Sequence, residues 1–137
     1  MTIRSTLLGL GLVATTAILS APVSAADVQP LPFKRTVLQK ADLADLTGRE
    51  GLVVLVEVPP GVESGRHTHP GTELGYQIEG TSVLEVEGMP PRTLGPGDSW
   101  IIPAGKVHNA RGTGDRPSRV IVTYVVEKGK PLASPAP

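Results

Sequence analysis

The chain contains no cysteine, so neither disulfides nor thiolate metal sites are open to it. Aromatic side chains make up only 3% of its 137 residues, which leaves little to build a broad ring-lined pocket. Neither sign of charge is in surplus, with Lys+Arg and Asp+Glu at 13 each. That balance gives no reason to expect nucleic acid or an anionic membrane as a partner. Histidine is scarce too, at 3 residues. Glycine (16) and proline (14) are what the chain has in quantity. They cut it into short stretches bounded by turns, which favours an all-β fold of short strands over helices. The length bounds the molecule to one ordinary domain.

One long apolar run stands apart, Leu7 to Leu19, preceded by Arg4 and followed by small residues, with Val23 and Ala25 at the −3 and −1 positions of a cleavage site. This is the pattern of a secretory signal peptide over residues 1–25, with cut sites after Ala25 or after Ala26. No twin arginine is present, so the general secretory route is expected. The mature chain is then exported, periplasmic or secreted, with no membrane contact after cleavage. Residues 26–32 read as an extended leader, 33–128 as a β-barrel domain, and 129–137 as a flexible Pro/Ala tail with little to bury.

Within the domain the clearest strand is Leu52–Val58 (LVVLVEV), β-branched throughout and stopped by Pro59-Pro60. Phe33–Leu38, Leu74–Glu79, Ser82–Glu87, Ser99–Ile102 and Arg119–Glu127 read as further strands, and Ala41–Leu46 has a helical look but is too short to stand alone. Strands this closely spaced predict an antiparallel sandwich or barrel.

The histidines are concentrated where they can share a cation. His67 and His69 lie one residue apart, and side chains alternate along a strand, so both project to one face. Pro70-Gly71-Thr72 reads as a tight turn that returns Glu73 towards them. Imidazole and carboxylate together suit a divalent transition metal. His108 follows the turn Pro103-Ala104-Gly105, and a barrel can carry it across to the other two. Gly75 and Gln77 share the inward parity of Glu73. Gly75 would leave room beside an ion, and Gln77 is a possible pocket residue or a wall residue satisfied by backbone. Trp100 is expected to pack in the core or at the rim. Arg111, Arg116 and Arg119 are expected on a solvated surface, though one of them could steer an anion.

These residues resemble the cupin family. Its first motif runs from a glycine through five residues to H-x-H, then three or four residues to a glutamate and six more to a glycine. Gly61, His67, His69, Glu73 and Gly80 fall on it with every spacing matched. Gly97, Pro103, Gly105 and His108 match the second motif, whose closing asparagine is replaced by Gly112, with Asn109 beside the histidine instead. The resemblance covers roughly Leu52 to Glu127. It implies a double-stranded β-helix (jelly-roll barrel) of six to eight strands, with His67, His69, Glu73 and His108 as ligands of one divalent metal (Cu, Zn, Mn, Fe or Ni). Loading outside the cytoplasm would favour copper or zinc. Cupins often dimerise, and Leu52–Val58 is a candidate interface for a homodimer if it is not core.

Four protein ligands leave one or two positions on such an ion for a small molecule with vicinal oxygens or a carboxylate. No histidine is left over as a general base, which favours chemistry at the metal and makes a dioxygenase of the quercetinase-like kind the first expectation. The catalytic residues beyond the ligands are unassigned by sequence. The alternative is a non-catalytic module that binds or senses a metal or small ligand.

Overall fold

A run such as Leu52–Val58 must bury one face, and it does so against a second strand of the same kind. In the computed structural model, which describes residues 32–137, the strands are β1 (Lys34–Asp42), β2 (Arg49–Val58), β3 (His67–Thr68), β4 (Gly71–Glu79), β5 (Thr81–Val86), β6 (Arg92–Leu94), β7 (Ser99–Ile102), β8 (His108–Thr113), β9 (Ser118–Glu127) and β10 (Ser134–Pro135). The described residues contain no helix. The expected signal peptide and nearly all of the leader lie outside them.

The strands form two five-stranded sheets, ordered β1-β2-β9-β4-β7 and β10-β3-β8-β5-β6, with antiparallel pairing throughout. This is the all-β double sheet expected. Alternate residues of β2 and β9 meet across the ladder: Leu52 opposite Tyr124, Val54 opposite Val122, Val56 opposite Val120. All six are buried. Together with Val58 and Val126 they form the main core, each such side chain contributing about 1.5–3 kcal/mol on full burial. Leu84, Leu94 and Ile102 form a second cluster. Leu52–Val58 is thus core on its inward face. Both edges of β2 are already paired, with β1 and β9, so edge exchange through β2 is closed.

Two expectations are corrected. The helical look of Ala41–Leu46 is overridden, because Ala41 and Asp42 pair with Gly51 and Glu50 as the end of β1 and only turns follow. The segment 129–137, expected to be a flexible tail, is tied down. Ser134 and Pro135 pair with Thr68 and His67, Ala136 N donates to Arg66 O, and Leu132 packs on the main core. Open backbone groups at the edge of β3 give the tail hydrogen-bond partners that its own composition does not reveal.

The glycines at the motif ends do what the sequence requires of them. Gly61, Gly80 and Gly97 have φ of +75°, +66° and +97°, a region open to glycine without strain.

Candidate metal centre

His67 lies in β3, His69 one residue beyond that strand, and His108 opens β8, whose register sets His108 opposite His67. His67 and His108 belong to the second sheet, and His69 follows directly on its β3. Pro70 and Gly71 then carry the chain across to the first sheet. The turn therefore changes sheets and makes no hairpin, and Glu73 on β4 faces the histidines from the opposite layer. A Cβ at Gly71 would stand 2.0 Å from Val125 O, so this crossing needs a residue without a side chain.

The ligand atoms of His67, His69 and His108 all lie within 4.8 Å of one another. Each ring is oriented from behind: His67 Nδ1 contacts Gly65 O at 2.7 Å, His69 Nδ1 contacts Leu132 O at 2.5 Å, and His108 Nδ1 contacts Lys106 O at 2.9 Å. A carbonyl only accepts, so each Nδ1 carries a proton, and in the neutral imidazole this leaves each Nε2 a lone pair towards the centre.

Glu73 Oε2 stands 2.9 Å from His69 Nε2 and 3.4 Å from His108 Nε2. With the protons on Nδ1, these are lone pairs facing a carboxylate. His69 Nε2 and His108 Nε2 are buried without a hydrogen-bond partner. Orphaned buried nitrogens beside a carboxylate are costly as they stand, and a divalent cation among them would satisfy all three groups. The donor set therefore fits a metal.

The electrostatics point the same way. Burial acts first on the Glu73 carboxyl and would raise it. In the metal-free chain, protonated His108 and His69 together with the Trp100 N–H outweigh that and hold it well below the usual carboxylate range; a cation in their place would favour the carboxylate in the same way. His67 is pulled down to about 4, chiefly by burial and further by the positive charges around it, so its imidazole is neutral near pH 7.

Two partners of the site were not assigned by sequence. The Trp100 indole lies over Gly75, where an added Cβ would come within 2.1 Å of its ring, and Nε1–H donates to Glu73 Oε1 at 2.8 Å. The room expected beside Gly75 is filled by this ring, and the core packing expected of Trp100 comes with a hydrogen bond to the carboxylate. Tyr124, paired across the ladder with Glu73, sets its ring 4.7 Å from that of His69. Burial, then the charge of Glu73, raises its phenol above the ordinary value. It therefore stays protonated. A tyrosine in register with inward valines was the available signal.

Gln77, the possible pocket residue, is spent in the wall. Its Nε2 donates to Glu79 O, Gly80 O and Ser118 Oγ, and its Oε1 accepts from Ser82 Oγ. Asn109 also points away from the pocket, to Glu63, Glu85 and Ser64. At Gly112 a Cβ would stand 2.2 Å from Pro59 O, so the asparagine of the family motif has no space there.

The cavity in front of the histidines is floored by Val56, Val58, Leu84, Leu94, Val120 and Val122, with Phe33 and Arg35 at its side. It offers about 40 Å³ to the centres of water-sized groups. One water needs roughly 10–15 Å³ on that measure, so the space takes only a few atoms besides an ion.

Comparison with known proteins agrees with this geometry. The Cupin domain family model matches residues 54–124, a span that holds all four motif side chains. The dimethylsulfoniopropionate lyase DddQ of Ruegeria pomeroyi is 39% identical over 70 residues, covering 51% of this chain and 34% of the lyase. Its crystal structure superposes with a TM-score of 0.63 at 26% identity, covering 83% of this chain and 55% of that one. Germin-like protein 5-1 of Oryza sativa is 28% identical over 97 residues, 65% of this chain and 44% of the germin-like protein. The chain thus spans less than half the length of these curated relatives.

Proposed function

The chain belongs to the cupin family, and from that membership we propose that it is a metal-dependent enzyme acting on a small oxygen-bearing molecule. His67, His69, His108 and Glu73 are its ligands in this proposal. The observation that carries it is the convergence of three Nε2 lone pairs and one carboxylate, two of those nitrogens buried and otherwise unpartnered.

Three neutral imidazoles and a carboxylate would leave a divalent ion with net charge about +1. Such an ion supplies polarisation of a bound oxygen and, if redox-active, electrons. The chain supplies the rest. Backbone carbonyls lock the three rings, Trp100 orients Glu73, Tyr124 offers a proton at the cavity wall, and the valine and leucine floor excludes water. We assign dioxygenase-like chemistry as the first reaction class, on small substrates, in keeping with a cavity whose interior holds only a few atoms. A lyase is the second reading, favoured by the similarity to a dimethylsulfoniopropionate lyase.

The test is turnover by metal-reconstituted protein with small hydroxy- and keto-acids, diketones and dimethylsulfoniopropionate. Oxygen uptake supports the dioxygenase, and product release without oxygen supports the lyase. Tight binding without turnover on any of them overturns the enzyme in favour of a binding module.

Export is part of the proposal, on the sequence of residues 1–25, and N-terminal sequencing of the mature chain checks it. So is a homodimer. Leu74, Tyr76 and Ile78 of β4 and Ile101 of β7 are exposed on the outer face of the first sheet, Leu74 in register with Ile101. Sedimentation analysis decides that point.

A further inference from the structure

The arginines singled out by sequence are all engaged outside the cavity. Arg111 faces Glu63, Arg116 faces Asp115, and Arg119 faces Glu57 and Glu79. Arg35 is different. On β1 its neighbour Lys34 is registered with Glu57 and pairs with it at 3.6 Å, whereas Arg35 is registered with Val56. Among the described residues no carboxylate forms an ion pair with Arg35. Its Nε is buried with no hydrogen-bond partner.

The guanidinium is nonetheless held in place. Its carbon lies 4.5 Å from the centroid of the Phe33 ring, a cation–π contact. Nη2 donates to the Nε2 lone pair of His67 at 3.2 Å; an ion bound by His67 would take that lone pair and free this N–H for a ligand. A planar fork of donors is therefore stationed against a metal-ligand histidine, at the side of a cavity whose floor is aliphatic. Leaving such a donor unmatched in a cavity is costly, and nothing in the main core requires a cation there.

We propose that Arg35 is the carboxylate-recognising residue of this site, so that its ligand is a small carboxylic acid whose carboxylate sits between the guanidinium and the ion and whose short apolar remainder faces the valine and leucine floor. The inference rests on the metal reading of the site and narrows it to a substrate class. A cation of about +1 and a guanidinium side by side repel each other, and a carboxylate between them relieves that repulsion. The two-pronged geometry of arginine matches the two oxygens of a carboxylate. The volume limits the acid to a few heavy atoms. Arg35 is a specificity residue in this account, and the ion and its ligands bind without it.

The experiment titrates formate, acetate, propionate and benzoate, the neutral probe propionamide and inorganic phosphate into zinc-loaded protein by calorimetry. The same protein loaded with cobalt reports through its visible spectrum whether the anion reaches the ion. Wild type is expected to bind the small acids and shift the cobalt bands, and to bind propionamide and benzoate much more weakly. Arg35→Gln is expected to weaken the small acids about 10- to 100-fold while keeping full metal content and an unshifted cobalt spectrum without ligand. Arg35→Lys should recover only part of the loss.

Equal binding of propionate by wild type and Arg35→Gln overturns the assignment. So do equal binding of propionate and propionamide by wild type, a preference for phosphate, and no binding of any small acid at millimolar concentration. Failure of the metal reading shows separately, as wild type that takes up no zinc or cobalt; the inference then falls with it.

Discussion

The backbone carbonyl of Leu132 accepts the Nδ1 proton of His69 at 2.5 Å, across 63 residues of sequence. One of the three imidazoles at the centre is therefore aimed by the C-terminal segment. Deleting residues 131–137 should lower zinc affinity about 10- to 100-fold, read by competition with a chromophoric chelator. Leu132→Ala keeps the carbonyl. It should cost about 1 kcal/mol of stability through lost packing and leave zinc affinity within a few-fold of wild type.

Trp100→Phe removes one hydrogen bond to Glu73 and keeps most of the ring over Gly75. Zinc affinity should fall about 10-fold with a change in denaturation midpoint worth no more than about 1–2 kcal/mol. Unchanged affinity would show that Glu73 is positioned without the indole.

His67→Ala and His108→Ala should each cut metal content sharply, measured by elemental analysis of purified protein. Stripping the wild type with a chelator should lower its melting temperature by about 10 °C or more, because an ion bound only by the folded chain stabilises it by mass action. If both variants keep full occupancy, the ligand assignment is wrong.

Acid should destabilise the metal-free protein in a defined window. The unfolded chain takes up a proton at His67 near 6.5, whereas the folded chain refuses it until about 4. Between those values the unfolded state binds more protons, so stability is full above pH 6.5 and falls as the pH drops towards 4. The depressed carboxyl of Glu73 adds a loss of the same sign below its ordinary 4.5. Urea midpoints of chelator-stripped wild type should decline over this range, and those of His67→Gln should decline less.

Gly112→Asn would restore the asparagine of the family motif and should still destabilise the protein, by about 1–3 kcal/mol. The new Cβ would meet Pro59 O at 2.2 Å, and the chain would have to shift β8 or the Pro59 turn. A midpoint equal to wild type would show that the close approach is easily relaxed.

The sequence was most informative where periodicity and spacing act locally. Alternation in β2 and β9 predicts their inward faces, and the motif spacings single out the three histidines and the glutamate that meet in space. Contacts set by register were not legible. Trp100 meets Glu73 because β7 pairs with β4 in a register that sets the ring opposite Gly75, and a glycine facing a large aromatic is visible only once that pairing is known. Arg35 sits near a strand start among ordinary charges, and its lack of an acid partner appears only when β1 is laid against β2. The tail was misjudged because β10 draws its hydrogen bonds from the edge of β3, while its own side chains contribute little.

Glu73 reaches the centre from one layer of the sandwich, and the three histidines reach it from the other. An ion gripped by all four would work as a rivet through both layers. Letting it go would require the layers to spread or one of them to peel away at its rim. Its residence time would then follow the breathing of the whole barrel, so that even a modestly held ion would leave slowly.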